Sequence, residues 1–330
     1  MTNGRIFSGM QPSGRFHLGN YMGALENWVR LQHEYECFFS IVDLHALTSS
    51  YSDTSKLQEN VREMMIDWLS AGLDPEKNVI FVQSHVKEHA ELALLLGMMT
   101  PLSWLERVPT YKDKLQNWEA QGKDNNTYGF LGYPVLMAAD IMLYNATGVP
   151  VGEDQSAHLE LTREIVRRFN YLYNKEVFRE PQAVFSKAKI LPGIDGRKMS
   201  KSYGNTIPFG ASPAELTERV RMMTTDPQRI KKTDKGNPDI CVVYAFHKVF
   251  NAEEAPCIAA ECRAGEIGCV ACKKKLAEKM NVMLADIHVR REELEKKPGY
   301  IQEVLEYGAQ RAQKEASKNM AIVKQAMNVL

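Results

Sequence analysis

Two separated stretches carry residues whose types and spacing could handle phosphate. Phe7-Ser8-Gly9-Met10-Gln11-Pro12-Ser13-Gly14-Arg15-Phe16-His17-Leu18-Gly19-Asn20 reads as a buried strand, a glycine-rich turn and the start of a helix. Gly9, Gly14, Gly19 and Gly23 let backbone approach a ligand, and a helix start offers unpaired N–H groups at the positive end of its dipole. That combination seats an anion. His17 and Asn20 add two side-chain donors at the same mouth, the histidine being able to carry charge near neutral pH. A tight connection around a buried histidine would look the same. Further on, Lys198-Met199-Ser200-Lys201-Ser202 follows a loop containing Pro192, Gly193 and Gly196. Two lysines and two hydroxyls on a glycine-flanked segment suit gripping the phosphates of ATP as charge develops. Alone, such a run is ordinarily a solvated loop.

Two further groups stand out. In Tyr133-Pro134-Val135-Leu136-Met137-Ala138-Ala139-Asp140, helical spacing puts Tyr133, Met137 and Asp140 on one face. An apolar surface with one carboxylate suits a flat aromatic ligand with one N–H donor, or is a core face with a capping aspartate. Of six cysteines, Cys241, Cys262, Cys269 and Cys272 form C-x20-C-x6-C-x2-C, with Gly265 and Gly268 permitting tight wrapping and Cys257 as a spare that could replace Cys262. Clustered thiols in an intracellular chain point to metal rather than disulfide, as an iron–sulfur cluster or Zn2+, or they are simply free.

The chain of 330 residues, 44% hydrophobic, can bury a full core and form one large and one small domain. Apolar runs predict strands at residues 5–9, 37–42 and 78–82 and one ending at Val149-Pro150-Val151-Gly152-Glu153-Asp154-Gln155. Helices are predicted over 21–35, 53–69, 88–99, 133–144 and onward from Gln155 to about Asn170, while 111–129 reads as irregular. Strand–helix alternation predicts an α/β doubly wound parallel sheet. Asp43 and His45 end the second strand where such sheets bind ligands, or serve as a helix cap and a satisfied core histidine. Beyond Ser202 the pattern is helical over 212–223, 240–250, 273–294 and 300 to the end, a small all-α domain with Pro298-Gly299 marking the return of the last helix. Net charge is zero, so nucleic acid could be drawn only by local patches such as Arg219 to Lys235, with six Lys/Arg against two Asp, unless that run is a solvated face. No apolar run reaches membrane-spanning length and the start lacks a signal-peptide core, so a cytoplasmic location is expected.

Together the two phosphate-type stretches resemble the paired signature of class I aminoacyl-tRNA synthetases. His17-Leu18-Gly19-Asn20 stands for the histidine–glycine motif, ending in Asn20 as in the tryptophan branch, and Lys198 to Ser202 for the lysine motif. With the Tyr133-to-Asp140 face and the Val149-to-Gln155 stretch, the chain is similar to bacterial tryptophanyl-tRNA synthetases over residues 4–330. The resemblance implies a Rossmann-like catalytic domain over 1–200, with the final helix (about 300–330) packing back on it, and a helical anticodon-binding domain over 201–299. It implies that Asp140 accepts the indole N–H, that Tyr133, Met137, Phe7, Val149 and Val151 wall the ring, and that Gln155 reaches the amine or carboxylate of L-tryptophan. ATP, carried with Mg2+, is implied to contact Gln11, Pro12, Ser13, Gly19, Asn20, Gly152, Glu153, Asp154, Ile190, Lys198, Met199, Ser200, Lys201 and Ser202. Catalysis falls to His17, Asn20, Lys198, Lys201 and Lys114.

The implied reaction forms tryptophanyl-adenylate and then loads tRNA(Trp), in a homodimer whose contact includes the 111–129 insertion. Some bacterial members have a similar cysteine pattern, with a slightly longer first gap, that holds a [4Fe–4S] cluster. Two other readings fit the chain less well: a tyrosyl enzyme, disfavoured by Met137 and the valines, and a non-catalytic RNA-binding or redox-sensing paralogue, disfavoured by His17, Lys198 and Lys201.

Overall fold

Parallel strands bear side chains that must be covered on both faces, which calls for helices on either side of the sheet. The structure, a computed structural model, describes residues 3–120, 122, 126–152, 156–185 and 191–329, without the side chains of Lys114, Asn117, Glu119, Ala120 and Ser202. Five strands, β1 (Arg5–Met10), β2 (Glu36–Ile41), β3 (Val79–Val82), β4 (Gly148–Val151) and β5 (Gln182–Phe185), form one sheet in the order β3-β2-β1-β4-β5. Every pairing is parallel, with Arg5 opposite Glu36 and Met10 opposite Ile41 in the central pair. β5 escaped the sequence reading: it is a short edge strand without the apolar run that marks β2 and β3.

Alternate residues of each strand enter two cores. On one face Ile6, Phe39 and Ile41 pack with Leu25, Trp28 and Trp68, and this apolar cluster continues through Phe209 and Leu216 to Phe246 and Met280 in the helical region. On the other face Phe7, Phe38 and Phe81 pack with Leu92, Ala138, Phe169 and Met320. The alternation is the two-residue period of a strand made visible.

Several helices differ from the sequence expectation. The glycine turn leads into Leu18–Asn20, a π turn at Tyr21–Leu25 and an α-helix at Glu26–Leu31, so the element starts three residues earlier than expected and ends before Tyr35. The helix expected from Tyr133 begins at Tyr128, capped by the Thr127 side chain accepting from the Phe130 N–H, and carries Pro134 in its interior. Residues expected to be irregular include a helix, Pro109–Ala120, anchored where Tyr111 and Trp118 pack on Phe130 at ring-centroid distances of 5.5 and 4.4 Å. Asp43–Ser50, Leu102–Glu106 and Ala255–Ala264 are further helices without a clear periodic signal.

The helix Pro298–Met327 returns to the sheet. Its Arg311 donates to the carbonyls of Pro75 and Asn78 beside β3, Asn319 donates to Leu143 O, and Glu315 pairs with Arg5 at 2.8 Å. The contact is closest at Gly308, where a Cβ would stand 1.8 Å from the Ile80 carbonyl oxygen. Only a residue without a side chain lets the helix approach the strand backbone so nearly. Gly308→Ala should therefore lower unfolding free energy by about 3 kcal/mol in a denaturant titration. Gly299→Ala, at a position with nothing within 4 Å, should be close to neutral.

Candidate active site

Strand order reverses between β1 and β4, and ligands of open α/β sheets bind beyond the carboxyl ends of the strands at such a point. A cavity of about 270 Å3 lies there, lined by Phe7, Ser8, Gly9 and Gln11 from β1 and its turn, by Val149 to Gly152 from β4, and by Val42, His45, Tyr133, Met137, Asp140 and Ile141. Tyr133, Met137 and Asp140 thus face one space, as their helical spacing requires. So do Phe7, Val149, Val151 and Gly152.

Asp140 closes the apolar slot. It is 2% exposed, and three donors meet its carboxylate: Gln83 Nε2 at 2.7 Å and His89 Nδ1 at 2.6 Å on Oδ1, and His45 Nε2 at 2.9 Å on Oδ2. Burial pushes the carboxyl pKa up, but the hydrogen bonds and charge of His45 and His89 outweigh it and hold the group at about 2. The slot therefore ends in a carboxylate, not a carboxylic acid. His45 meets both expectations for it, since it is a satisfied buried histidine and a wall of the cavity. Asp43 instead opens the helix Asp43–Ser50 without capping it, its carboxylate accepting from the backbone N–H groups of Leu44 and, in the turn after β3, Ser84.

The phosphate-type stretches also meet. Lys201 Nζ reaches across to the glycine turn, donating to Ser13 O at 2.8 Å, Gly14 O at 3.1 Å and Ser13 Oγ at 3.3 Å. Its partners are neutral oxygens, which phosphate oxygens can replace with stronger, charge-assisted bonds. Gly19 lies beneath the lysine loop, and a Cβ there would stand 3.0 Å from His17 Nδ1 and 3.2 Å from Met199 Sδ. Backbone bonds from Leu18 N to Ile207 O and from Phe209 N to Phe16 O tie the chain after the lysine loop to the histidine motif.

His17 and Asn20 cap the short helix reciprocally. Asn20 N donates to His17 Nδ1 at 3.2 Å, and His17 N donates to Asn20 Oδ1 at 3.3 Å. Burial, reinforced by the Lys201 charge, lowers the His17 pKa to about 4, so the expectation of a histidine charged near neutral pH is corrected. With Nδ1 accepting a backbone N–H, the neutral ring carries its proton on Nε2 and presents a neutral donor.

Lys198 is exposed and Met199 buried. Their loop is organised by a residue that sequence reasoning missed. Buried Asn205 accepts from Ser200 N at 2.8 Å and donates to Asp195 at 2.7 Å and to Lys198 O at 3.1 Å. Gln83, His89, Thr110 and His158 were likewise not singled out, the last two meeting the expected Tyr133 in a cluster where Thr110 Oγ1 stands 2.9 Å from both the Tyr133 hydroxyl and His158 Nε2. Each is an isolated polar residue whose partners lie far away in the chain. Glu153, Asp154, Gln155 and Ile190 lie outside the described residues, as do the side chains of Lys114 and Ser202.

None of the six cysteines is paired in a disulfide. Cys241 caps the helix Val242–Phe250, Cys269 and Cys272 open the helix Cys269–Glu295, and Cys262 Sγ accepts from Arg229 Nη1 at 3.6 Å. Burial, then the charges of Cys241, Cys262 and Cys269, push the Cys272 thiol up to about 12, which marks the four as electrostatic neighbours. Among the described residues no three His, Cys, Asp or Glu side chains stand arranged to hold a metal ion. In chemistry, three thiols at helix starts, with Cys262 in the last turn of the helix Ala255–Ala264 beside Arg229, are soft-metal ligands.

Fold and site together define a class of enzyme, one that brings a nucleotide and an aromatic small molecule together at the switch point of a parallel sheet. Comparison with known proteins narrows it. Residues 2–285 match the family of tRNA synthetases class I (W and Y). A tryptophan–tRNA ligase of Thermotoga maritima is 52% identical with 99% of each chain covered, and one of Aquifex aeolicus is 44% identical over 98% of this chain and 100% of its own. The crystal structure of tryptophanyl-tRNA synthetase from Campylobacter jejuni complexed with ADP and tryptophan matches at a TM-score of 0.89 and 35% identity, covering 98% of this chain and 100% of that one. The chain belongs to the class I tRNA synthetase family of tryptophan and tyrosine enzymes.

A prediction follows from the neutral His17. In an NMR titration its imidazole should keep the Nε2 proton at neutral pH and gain a second with a midpoint at about 4. The unfolded imidazole protonates at its ordinary value, so this group removes stability as pH falls from there to about 4, and the effect levels off below. A midpoint at the ordinary imidazole value would return the charge to His17.

Proposed function

We propose that the chain is a tryptophan–tRNA ligase. It activates L-tryptophan with ATP to tryptophanyl-adenylate and pyrophosphate, then transfers the tryptophanyl group to the 3' end of tRNA(Trp). One observation carries the choice of amino acid: the apolar slot at the switch point ends in the ionised Asp140. An indole buries its ring against Phe7, Met137, Val149 and Val151 and donates its single N–H to the carboxylate. A phenol fits less well. Its oxygen needs a donor as well as an acceptor, and the donors at the end of the slot, His45, His89 and Gln83, are committed to Asp140.

No protein nucleophile is needed, because the tryptophan carboxylate attacks the α-phosphorus and pyrophosphate leaves. The chain supplies position and charge. Gln11 to Ser13 and Gly19 with Asn20 receive the nucleotide, His17 offers its Nε2–H, and Lys198 and Lys201 stabilise the triphosphate carried with Mg2+. Lys201 already bridges the two loops, so ATP exchanges the carbonyls of Ser13 and Gly14 for its own oxygens. Gly152, Met199, Ser200 and Ser202, with Glu153, Asp154 and Ile190, complete the nucleotide site, and Gln155 and Lys114 serve the substrate amine or carboxylate and the phosphates.

Residues 1–200 with the last helix act as the catalytic unit, and 201–299 as the part that meets the anticodon arm, where Lys231, Lys232 and Lys235 are exposed. The enzyme works in the cytoplasm as a homodimer. An apolar surface of Leu94, Met98 and Leu102, with exposed Tyr128 close to Gly97, supports that association. Among the described residues no helix is long and apolar enough to cross a membrane.

Cys241, Cys262, Cys269 and Cys272 hold a [4Fe–4S] cluster in this proposal, with Zn2+ as the alternative, and the group's part is to brace the helical region. Anaerobically purified protein should be brown and contain iron with acid-labile sulfide. Colourless protein with stoichiometric zinc would overturn the cluster.

Exchange of labelled pyrophosphate into ATP, without tRNA, tests the activity. It should depend on tryptophan and not on tyrosine, and Lys201→Ala should slow single-turnover adenylate formation by roughly 10²–10³-fold with little change in tryptophan affinity. Exchange supported equally by tyrosine, or absent, would overturn the assignment.

A further inference from the structure

Two residues behind the slot wall, His89 and Gln83, do not line the cavity, yet both donate to the carboxylate that does. Each is fully buried. Their orientations are fixed from behind. Gln83 Oε1 accepts the His45 backbone N–H at 3.3 Å, which points the Gln83 amide at Asp140 Oδ1. His89 Nε2 lies 2.8 Å from the Tyr144 hydroxyl. Burial, with the negative charges of Asp140 and Glu88, raises the Tyr144 pKa well above the ordinary phenol value, so the phenol keeps its proton. Tyr144, hydrogen-bonded to Nε2, holds the ring so that Nδ1–H is aimed at Oδ1.

Donor counting then separates the two oxygens of the carboxylate. Among the described residues Oδ1 receives Gln83 and His89 and is saturated, whereas Oδ2 receives only His45 and keeps one acceptor position. We infer that His89, oriented by Tyr144, and Gln83, oriented by the His45 backbone, are positioning residues that fill Oδ1, keep Asp140 ionised, and leave a single acceptor on Oδ2 for one ligand N–H. The site selects for an aromatic ring with one N–H because the protein has used the other positions. The inference deepens the tryptophan reading of this slot and rests on it. The titratable groups facing Asp140 are His45 from the Asp43–Ser50 helix, His89 from the Glu88–Gly97 helix and, through His89, Tyr144, with Glu88 beyond.

The test compares His89→Leu, which removes the donor, with His89→Asn, whose amide can replace the Nδ1–H. The first arm uses no substrate, following the Asp140 carboxyl carbon by 13C NMR against pH in the full chain. In wild type it should stay ionised down to about 2, and in His89→Leu its midpoint should rise. Loss of function on acidification should move upward with it, since a depressed carboxyl acts above its folded pKa and fails as pH falls through it.

The second arm is tryptophan-dependent pyrophosphate exchange. His89→Leu should raise the KM for tryptophan roughly 10–100-fold, the scale for losing one hydrogen bond to a charged group, with kcat and the KM for ATP little changed. It should also narrow the preference for tryptophan over its analogue with sulfur in place of the indole N–H. His89→Asn should restore most of both. An unmoved Asp140 midpoint in His89→Leu, or Leu and Asn variants equally impaired in kcat and KM together, would overturn the positioning role. Absence of exchange in wild type would sink the tryptophan reading and leave the carboxyl titration to decide the role of His89.

Discussion

A carboxylate removed from water stays ionised only if donors surround it, and that requirement at Asp140 organises this face of the molecule. Its donors come from three other segments: the helix after β2, the turn after β3 and the helix that follows that turn. Each lies beyond the carboxyl end of a strand. Parallel pairing brings these ends together, so the sheet topology is what lets residues from distant parts of the chain share one anion. The aromatic groups nearby take their places around it, with Phe7 stacked on Tyr144 at 5.6 Å and Tyr144 joined to His89.

The side built on the glycine turn uses an opposite economy. Here the backbone provides the polar groups and the side chains are few. The glycine turn after β1 exposes carbonyls and N–H groups, Gly14 at φ +98° adopting a conformation that suits glycine, and Lys201 arrives from far along the chain to span them. Neutral His17 is consistent with this economy. A charged imidazole beside Lys201 would raise electrostatic repulsion in a partly buried space, so the ring contributes direction through one N–H and the lysine contributes charge.

What was legible in the sequence is what depends on local pattern. Glycines, lysines and the helical spacing of Tyr133, Met137 and Asp140 announce themselves within a few residues, and they pointed to the face that lines the slot and to the two loops that Lys201 joins. His89 and Gln83 stand 51 and 57 residues from Asp140, and no period or spacing links them to it. Asn205 was hidden for a related reason, since an asparagine after a loop reads as a turn residue until its buried bonds to Ser200 and Asp195 are seen. The charge state of His17 depends on burial and on a lysine from another segment, which composition cannot reveal. Helix Pro109–Ala120 was read as irregular because its aromatic anchors meet Phe130, beyond its own span.

The helix Pro298–Met327 lies against β3, one edge of the sheet, with Gly308 almost touching its backbone. A ribosome makes β3 more than two hundred residues before it makes this helix. During synthesis the edge strand therefore waits with part of its apolar surface uncovered, a condition that favours chaperone capture or strand-to-strand misassociation. Emergence of Pro298–Met327 ends that vulnerability, and this edge of the native sheet is sealed by a helix made long after the strand it covers.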